Sequence, residues 1–473
     1  MRKTLPKDIQ LMNHTRFPHH LNRGFLVFLL ACSVMLSLIA TAKPAWAAGN
    51  PVIIRDTEIE TMLKTWAKPV ILASGLDPRA VNIILVQDPN INAFVAGGQN
   101  VFIYTGLITR SENASEIVGV IAHELGHIRG GHLIRTRGAL ESASYESLLG
   151  TILGIGAAVI TGEGGLGAAI SAGVSSTAAN KFLAFSRVQE SSADQAALDY
   201  MEKAKMNPQG LVTFMQKLED QELLPASQQS EYMRTHPITR DRVSALEAGR
   251  SRSDFKDKAA PDAWKDDHDR MLAKLIGFIT PEQVAWKYES RDKGIPAQYA
   301  RAIAAYRQNR IDESLSLMES LIAEEPQNPY FQELKGQMLV DYGRVEQALP
   351  YYKKSLDLLP SSSLIRTAYA HALIETAQNN EARLKEAIEN LERAKIDERR
   401  SPRIQRLLAT AHGRLGHEAE AQLYLAEEAL LQNRNRDAKA LAQRAVKGLP
   451  ENSRPWIRAQ DILNYVEQSN ESN

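Results

Sequence analysis

Pro326 and Pro360 stand 34 residues apart, and each closes a run in which apolar and charged residues recur at helical spacing. That period constrains the C-terminal half of the chain more than any other feature does. Between the two prolines, YFQELKGQMLVDYGRVEQALPYYKKSLDLLP places Gly336, Ala348, Tyr352 and Leu356 at the small and aromatic contact positions of a helix pair folded back on itself. A unit of this size cannot bury its apolar face alone, so it must stack on neighbours.

The period is that of the tetratricopeptide repeat. A second unit covers roughly 361–395, with Ala370, Ala387 and Ala394 permitting close helix contact, and a third carries Ala409, Gly416 and Ala421. A less regular pair ends at Pro450, with Trp456 closing the stack. The expectation is three to four repeats within a helical repeat domain at 295–465, linked or capped by irregular helices at 265–325. Ahead of it, 251–294 reads as a linker with irregular helices, because SRSDFKDKAAPDAWKDDHD is charged and poor in apolar residues.

The N-terminus places basic residues before the apolar run GFLVFLLACSVMLSLIA and then the small-residue pattern Ala45-Trp46-Ala47, the order of a secretory signal peptide over 1–47. A retained anchor and a lipoprotein site at Cys32 are the other readings of the same run. Removing 1–47 leaves 50 Lys and Arg against 55 Asp and Glu and no cysteine. The mature chain then has no disulfide or thiolate chemistry, and its net negative charge offers nothing to attract nucleic acid.

The stretch SENASEIVGVIAHELGHIRGGH reads as one helix opened by Asn113 and Glu116 at capping-box spacing. His123 and His127 are four apart, so their imidazoles project from one face and can share a metal ion. Glu124 adjoins the first of them, where it reaches a metal-activated water as general base. A tetrahedral catalytic zinc needs a third protein ligand and an open position. Leu133 stands where a metzincin would carry its third histidine, and His132, one residue early, reads as a surface or outer supporting histidine.

The third ligand is sought in KFLAFSRVQESSADQAALDYMEKAKMNP, where Glu190 and Asp194 are four apart on one helical face. Glu190 is assigned to the metal and Asp194 to the remaining N–H of a ligand histidine, which fixes that ring's tautomer. The Gly- and Ala-rich segment 149–178 reads either as a lid that makes peripheral membrane contact or as a buried helical excursion. Upstream, VNIILVQDPNINAFVAGGQNVFIYTGLI reads as strands and tight turns, with Val101–Tyr104 as an edge strand able to pair with an extended substrate.

The segments AFVAGGQNVFIYTGL, AHELGHIRGGH, SRVQESSADQAA and THPITRDRV together resemble the superfamily of CAAX prenyl proteases and the HtpX heat-shock protease. The resemblance is greatest to its soluble, repeat-containing branch of beta-barrel assembly-enhancing proteases. It implies one zinc ion held by His123, His127 and Glu190, Glu124 as catalytic base, and Asp194 supporting a ligand. It further implies His236 as a fourth ligand or gate and Arg187 as active-site support; alone, the first reads as a loop histidine and the second as a surface arginine.

The expected fold is α+β and mostly helical, a zincin-type domain at 48–250 followed by a repeat solenoid. The expected function is a zinc endopeptidase of a Gram-negative periplasm acting on misfolded or stalled envelope and outer-membrane proteins, with the outer-membrane assembly machinery as a partner. The competing expectation is an outer-membrane chaperone or assembly scaffold that cleaves only occasionally.

Overall fold

The computed structural model describes residues 52–132, 187–219, 224–225 and 228–471. The expected signal peptide and the apolar segment 149–178, with its membrane contact, lie outside the described residues. Among the described residues no helix is long and apolar enough to cross a membrane.

The fold is mostly helical, with one small sheet of order β1-β2-β4-β3. β1 (Val52–Ile54) pairs antiparallel with β2 (Asn82–Gln87), β2 runs parallel to β4 (Asn100–Tyr104), and β4 pairs antiparallel with β3 (Ala93–Ala96). The β3–β4 turn needs Gly97 and Gly98, whose φ values of 59° and 98° suit glycine, and the Asn100 amide closes it onto Ala96 O and Gly97 O. The expectation that Val101–Tyr104 forms the edge is corrected: β4 is flanked on both sides, and the outer strands are β1 and β3. β4 is held inside by pairing on both edges, parallel to β2 and antiparallel to β3 through the tight turn at Gly97 and Gly98.

α1 (Thr57–Ala73) is capped by Asp56, whose carboxylate accepts from Ile59 N. It presents Ile59, Leu63, Trp66 and Val70 to a core shared with the sheet and with Ile117 and Ile121 of α3 (Ala114–Arg129); α2 (Thr105–Arg110) joins β4 to that helix. Each such side chain, fully withdrawn from water, contributes about 1.5–3 kcal/mol before chain entropy is counted. α4 (Arg187–Lys203) and α5 (Gln209–Glu219) pack on α3, followed by the short α6 (Glu231–Thr235) and α7 (Arg240–Arg252).

The expected loop at 251–269 is half corrected. α8 (Asp262–Ile279) begins inside it, with Trp264 tilted against Trp66 at 5.9 Å and His268 buried. The charged residues there occupy the exposed face of an amphipathic helix whose apolar face serves two cores, Met271 and Leu275 on one side and Ala273 and Ile276 on the other.

From Ile295 the described residues form five successive helix pairs, beginning with Ile295–Arg307 and Ile311–Glu324. The region expected to hold irregular helices up to 325 thus contains a regular pair, and the stack is longer than three to four repeats. Pro326 and Pro360 lie in the turns between pairs. Gly336 meets Tyr352 so closely that a Cβ there would lie 3.0 Å from the ring.

Candidate active site

The helix α3 owes its start to Asn113, whose side chain accepts from Glu116 N at 3.2 Å, while the Glu116 carboxylate accepts from Glu112 N at 3.0 Å. Its glycines weaken helix propensity but let neighbouring helices approach. A Cβ on Gly119 would lie 2.6 Å from Leu211 N of α5, and one on Gly126 would lie 2.8 Å from Ala193 O of α4. The second contact brings α4 beside the histidines, with Glu190 and Asp194 directed at them.

His123, His127, Glu190 and His236 each present one ligand atom, all within 4.8 Å of one another, and all four are buried. The Nε2 atoms of His123 and His127 are 3.1 Å apart. Glu190 Oε2 stands 3.4 Å from His123 Nε2, and its Oε1 stands 3.5 Å from His127 Nε2 and 3.2 Å from His236 Nδ1. Lone pairs of like character converging on one point in a dry interior repel unless a cation takes them.

The charges lead to the same conclusion. Glu124, Glu190 and Asp194 are three buried carboxylates around one guanidinium, that of Arg242, whose Nε and Nη2 bond Asp194 at 2.7 and 2.9 Å. Arg242 Nη1 also reaches Glu190 Oε2 at 3.0 Å and Pro237 O at 2.6 Å. Without an ion the balance rests on a proton held at His123; a divalent cation would take that proton's place, and imidazole nitrogens with a carboxylate suit zinc.

Burial raises the pKa of Asp194, yet Arg242 and then His123 outweigh it and hold the carboxyl below its usual range. Burial opposes charge on His123, but Asp194 and Glu190 raise it to about 9, so a cation entering here displaces a proton. Asp194 Oδ1 lies 3.0 Å from His123 Nδ1, off the line of an ideal hydrogen bond. Burial pushes the Glu124 carboxyl up, against His236 and His123. Neither Glu124 oxygen has a hydrogen-bond partner, and His236 Nε2 stands 3.6 Å from Oε1.

The structure thus brings together His123, Glu124, His127, Glu190, Asp194 and His236. Arg187 is the exception: it opens α4 with its side chain exposed, two helical turns before Asp194, and the guanidinium in the site belongs to Arg242. With Arg240, Arg242 reads in the sequence either as an anchor of the His236 loop or as part of a solvated basic patch; its signal is its place three residues after the Thr239 cap, in the first turn of α7, where the side chain can turn back under His236. His132 is buried, with Nδ1 2.9 Å from His127 Nδ1, and its ring fills the space a Cβ on Gly130 would need.

Residues 54–250 match the model of peptidase family M48, and residues 283–445 match a tetratricopeptide repeat model. The chain is 25% identical over 337 residues to the beta-barrel assembly-enhancing protease of Yersinia pestis, covering 69% of this chain and 67% of that one. It is 24% identical over 344 residues to the protein of the same name from Escherichia coli K12, covering 71% and 69%. Over 181 residues it is 25% identical to the mitochondrial metalloendopeptidase OMA1 of Schizosaccharomyces pombe, covering 38% and 50%. The buried cluster of histidines and a carboxylate lies inside the matched domain: the chain is a metalloprotease whose residues 54–250 match peptidase family M48 and which carries tetratricopeptide repeats.

Proposed function

We propose that this chain is a zinc endopeptidase of the Gram-negative periplasm that hydrolyses misfolded or stalled envelope proteins, outer-membrane β-barrels in particular, delivered by its repeat domain. The observation that carries this reading is the meeting of His123, His127 and Glu190 beside a Glu124 carboxylate that faces His236 at 3.6 Å and, among the described residues, accepts no hydrogen bond. The names of the most similar relatives support the substrate class, and the repeats offer a surface on which to concentrate it.

His123, His127 and Glu190 would hold the ion, which when bound lowers the pKa of water and polarises the scissile carbonyl. Glu124 takes a proton from the attacking water and passes it to the leaving nitrogen. Arg242 keeps Asp194 ionised and turned toward His123, which fixes the ring's orientation. His236 fills the substrate side of the cluster and acts as a gate, so the closed arrangement is the latent one. That closure also favours the scaffold reading for the resting protein, with cleavage awaiting release of His236.

The test is cleavage of casein by residues 48–473, comparing wild type with Glu124→Gln at equal zinc content. The variant should retain its metal and lose about 10²–10⁴-fold in rate. Equal cleavage by both refutes the role of Glu124, and no cleavage by either, with zinc bound, favours the scaffold.

A further inference from the structure

Tyr232 carries a hydroxyl that the fold does not account for. The residue is fully buried, and among the described residues its oxygen has no hydrogen-bond partner. A phenylalanine would fill the same space, edge-on to Phe214 at 5.4 Å, without withdrawing a hydroxyl from water for nothing in return. A buried polar group left in this state calls for an explanation, and a catalytic role is one of them.

Its place fits that expectation. The phenol stacks on the His236 imidazole, with centroids 4.7 Å apart and planes at 29°, so it lines the same wall of the site. Glu124 is the charged group that bears on the hydroxyl most, followed by Arg242, Glu190 and Asp194. Its backbone is held on both sides: Tyr232 N donates to Ile91 O at 3.0 Å, just ahead of β3, and Tyr232 O accepts from His236 N at 2.7 Å. With the backbone of both residues tied in this way, the His236 ring can turn out about its own side-chain bonds while Tyr232 stays.

We propose that Tyr232 is a further catalytic residue, whose hydroxyl donates a hydrogen bond to the carbonyl oxygen of the scissile peptide once His236 has moved aside. This rests on the endopeptidase reading above. As water adds to the carbonyl carbon, a C–O bond forms and the π pair moves onto the carbonyl oxygen. The water proton goes to Glu124 and then to the leaving nitrogen as the C–N bond breaks. Tyr232 keeps its proton throughout and stabilises the oxygen only while it bears charge.

The experiment compares Tyr232→Phe with wild type by three measurements. The first is kcat and KM on a cleaved peptide, the second is affinity for a phosphinic peptide that imitates the tetrahedral state, and the third is the melting temperature of the metal-free protein. The expected result is a fall in kcat of at least about 10-fold with KM little changed, and an equal loss of phosphinic-peptide affinity. The metal-free melting temperature should hold or rise, because the resting hydroxyl has no partner to lose. Unchanged kcat or unchanged phosphinic-peptide affinity overturns the proposal, and so does a clear drop in melting temperature, which would mean a structural hydroxyl. A wild-type protein that neither cleaves nor binds the phosphinic peptide overturns the endopeptidase reading and this one with it; activity retained in Tyr232→Phe overturns the role of the tyrosine alone.

Discussion

Among the described residues, two clusters of buried charge are built in different ways. Around His123, ligand atoms of three histidines and Glu190 lie within 4.8 Å of one another, with Arg242 bound to Asp194 beside them. At the junction of the protease core with the repeats, Lys274 brings its own cation: Nζ lies 2.7 Å from Asp56 and 3.0 Å from Glu58, and the Tyr299 hydroxyl donates to Glu58 at 2.8 Å. Burial disfavours the ammonium, yet Asp56, Tyr299 and Glu58 hold its proton well above the ordinary range. The difference separates a site built to receive something from a joint built to stay shut. It also explains why the first cluster is assembled from chemically similar ligands and the second from complementary charges.

The largest test of that contrast is Lys274→Met. It should destabilise the fold by about 3–5 kcal/mol in chemical denaturation, because Glu58 remains buried without a counterion and the half-buried Asp56 loses its partner, while zinc content stays at one per chain. A mild effect would mean that water reaches the junction and that the two clusters differ less than their geometry suggests.

Gly126→Ala probes the other cluster through packing alone. The added methyl meets Ala193 O and Cα of α4 at under 3 Å, so α4 must shift and carry Glu190 and Asp194 with it. The expected outcome is a loss of about 1–3 kcal/mol in stability, with weaker zinc retention in competition with a chelator. Unchanged zinc affinity would show that the ligand set tolerates movement of its helix.

The smallest expected effect lies on α8, where His268 is buried neutral a few residues from the buried charge of Lys274. Burial lowers its pKa to about 4, and its Nε2 lies 2.8 Å from Ser111 Oγ. The unfolded chain, with a histidine near 6.5, binds the proton more readily than the folded one. Its contribution is therefore complete above about pH 6.5 and is lost as pH falls toward 4. His268→Gln should flatten the stability profile in that window and leave it unchanged at pH 8; a parallel profile would assign the acid sensitivity to other groups.

What could be read from the sequence follows a rule of distance. His123, Glu124 and His127, and separately Glu190 and Asp194, lie within single helical turns, so backbone geometry alone puts each set on one face. The 34-residue period is likewise local, since each unit repeats the same contacts. Arg242 left no comparable trace, because it gains its meaning from Asp194, 48 positions away on another element. The charged run at 262–269 misled for a related reason: polar residues on an exposed helix face and in a loop have the same composition.

By itself, then, the sequence determined the helical repeat, the helix that carries His123, Glu124 and His127, and the pairing of Glu190 with Asp194 on one face, because these depend on spacings shorter than a few turns. Only the tertiary structure decided that β4 lies inside the sheet, that Arg242 rather than Arg187 meets Asp194, and that Lys274 closes the junction. Those outcomes depend on which buried group meets which across the core, and burial energies are settled by three-dimensional neighbours, which no local pattern encodes.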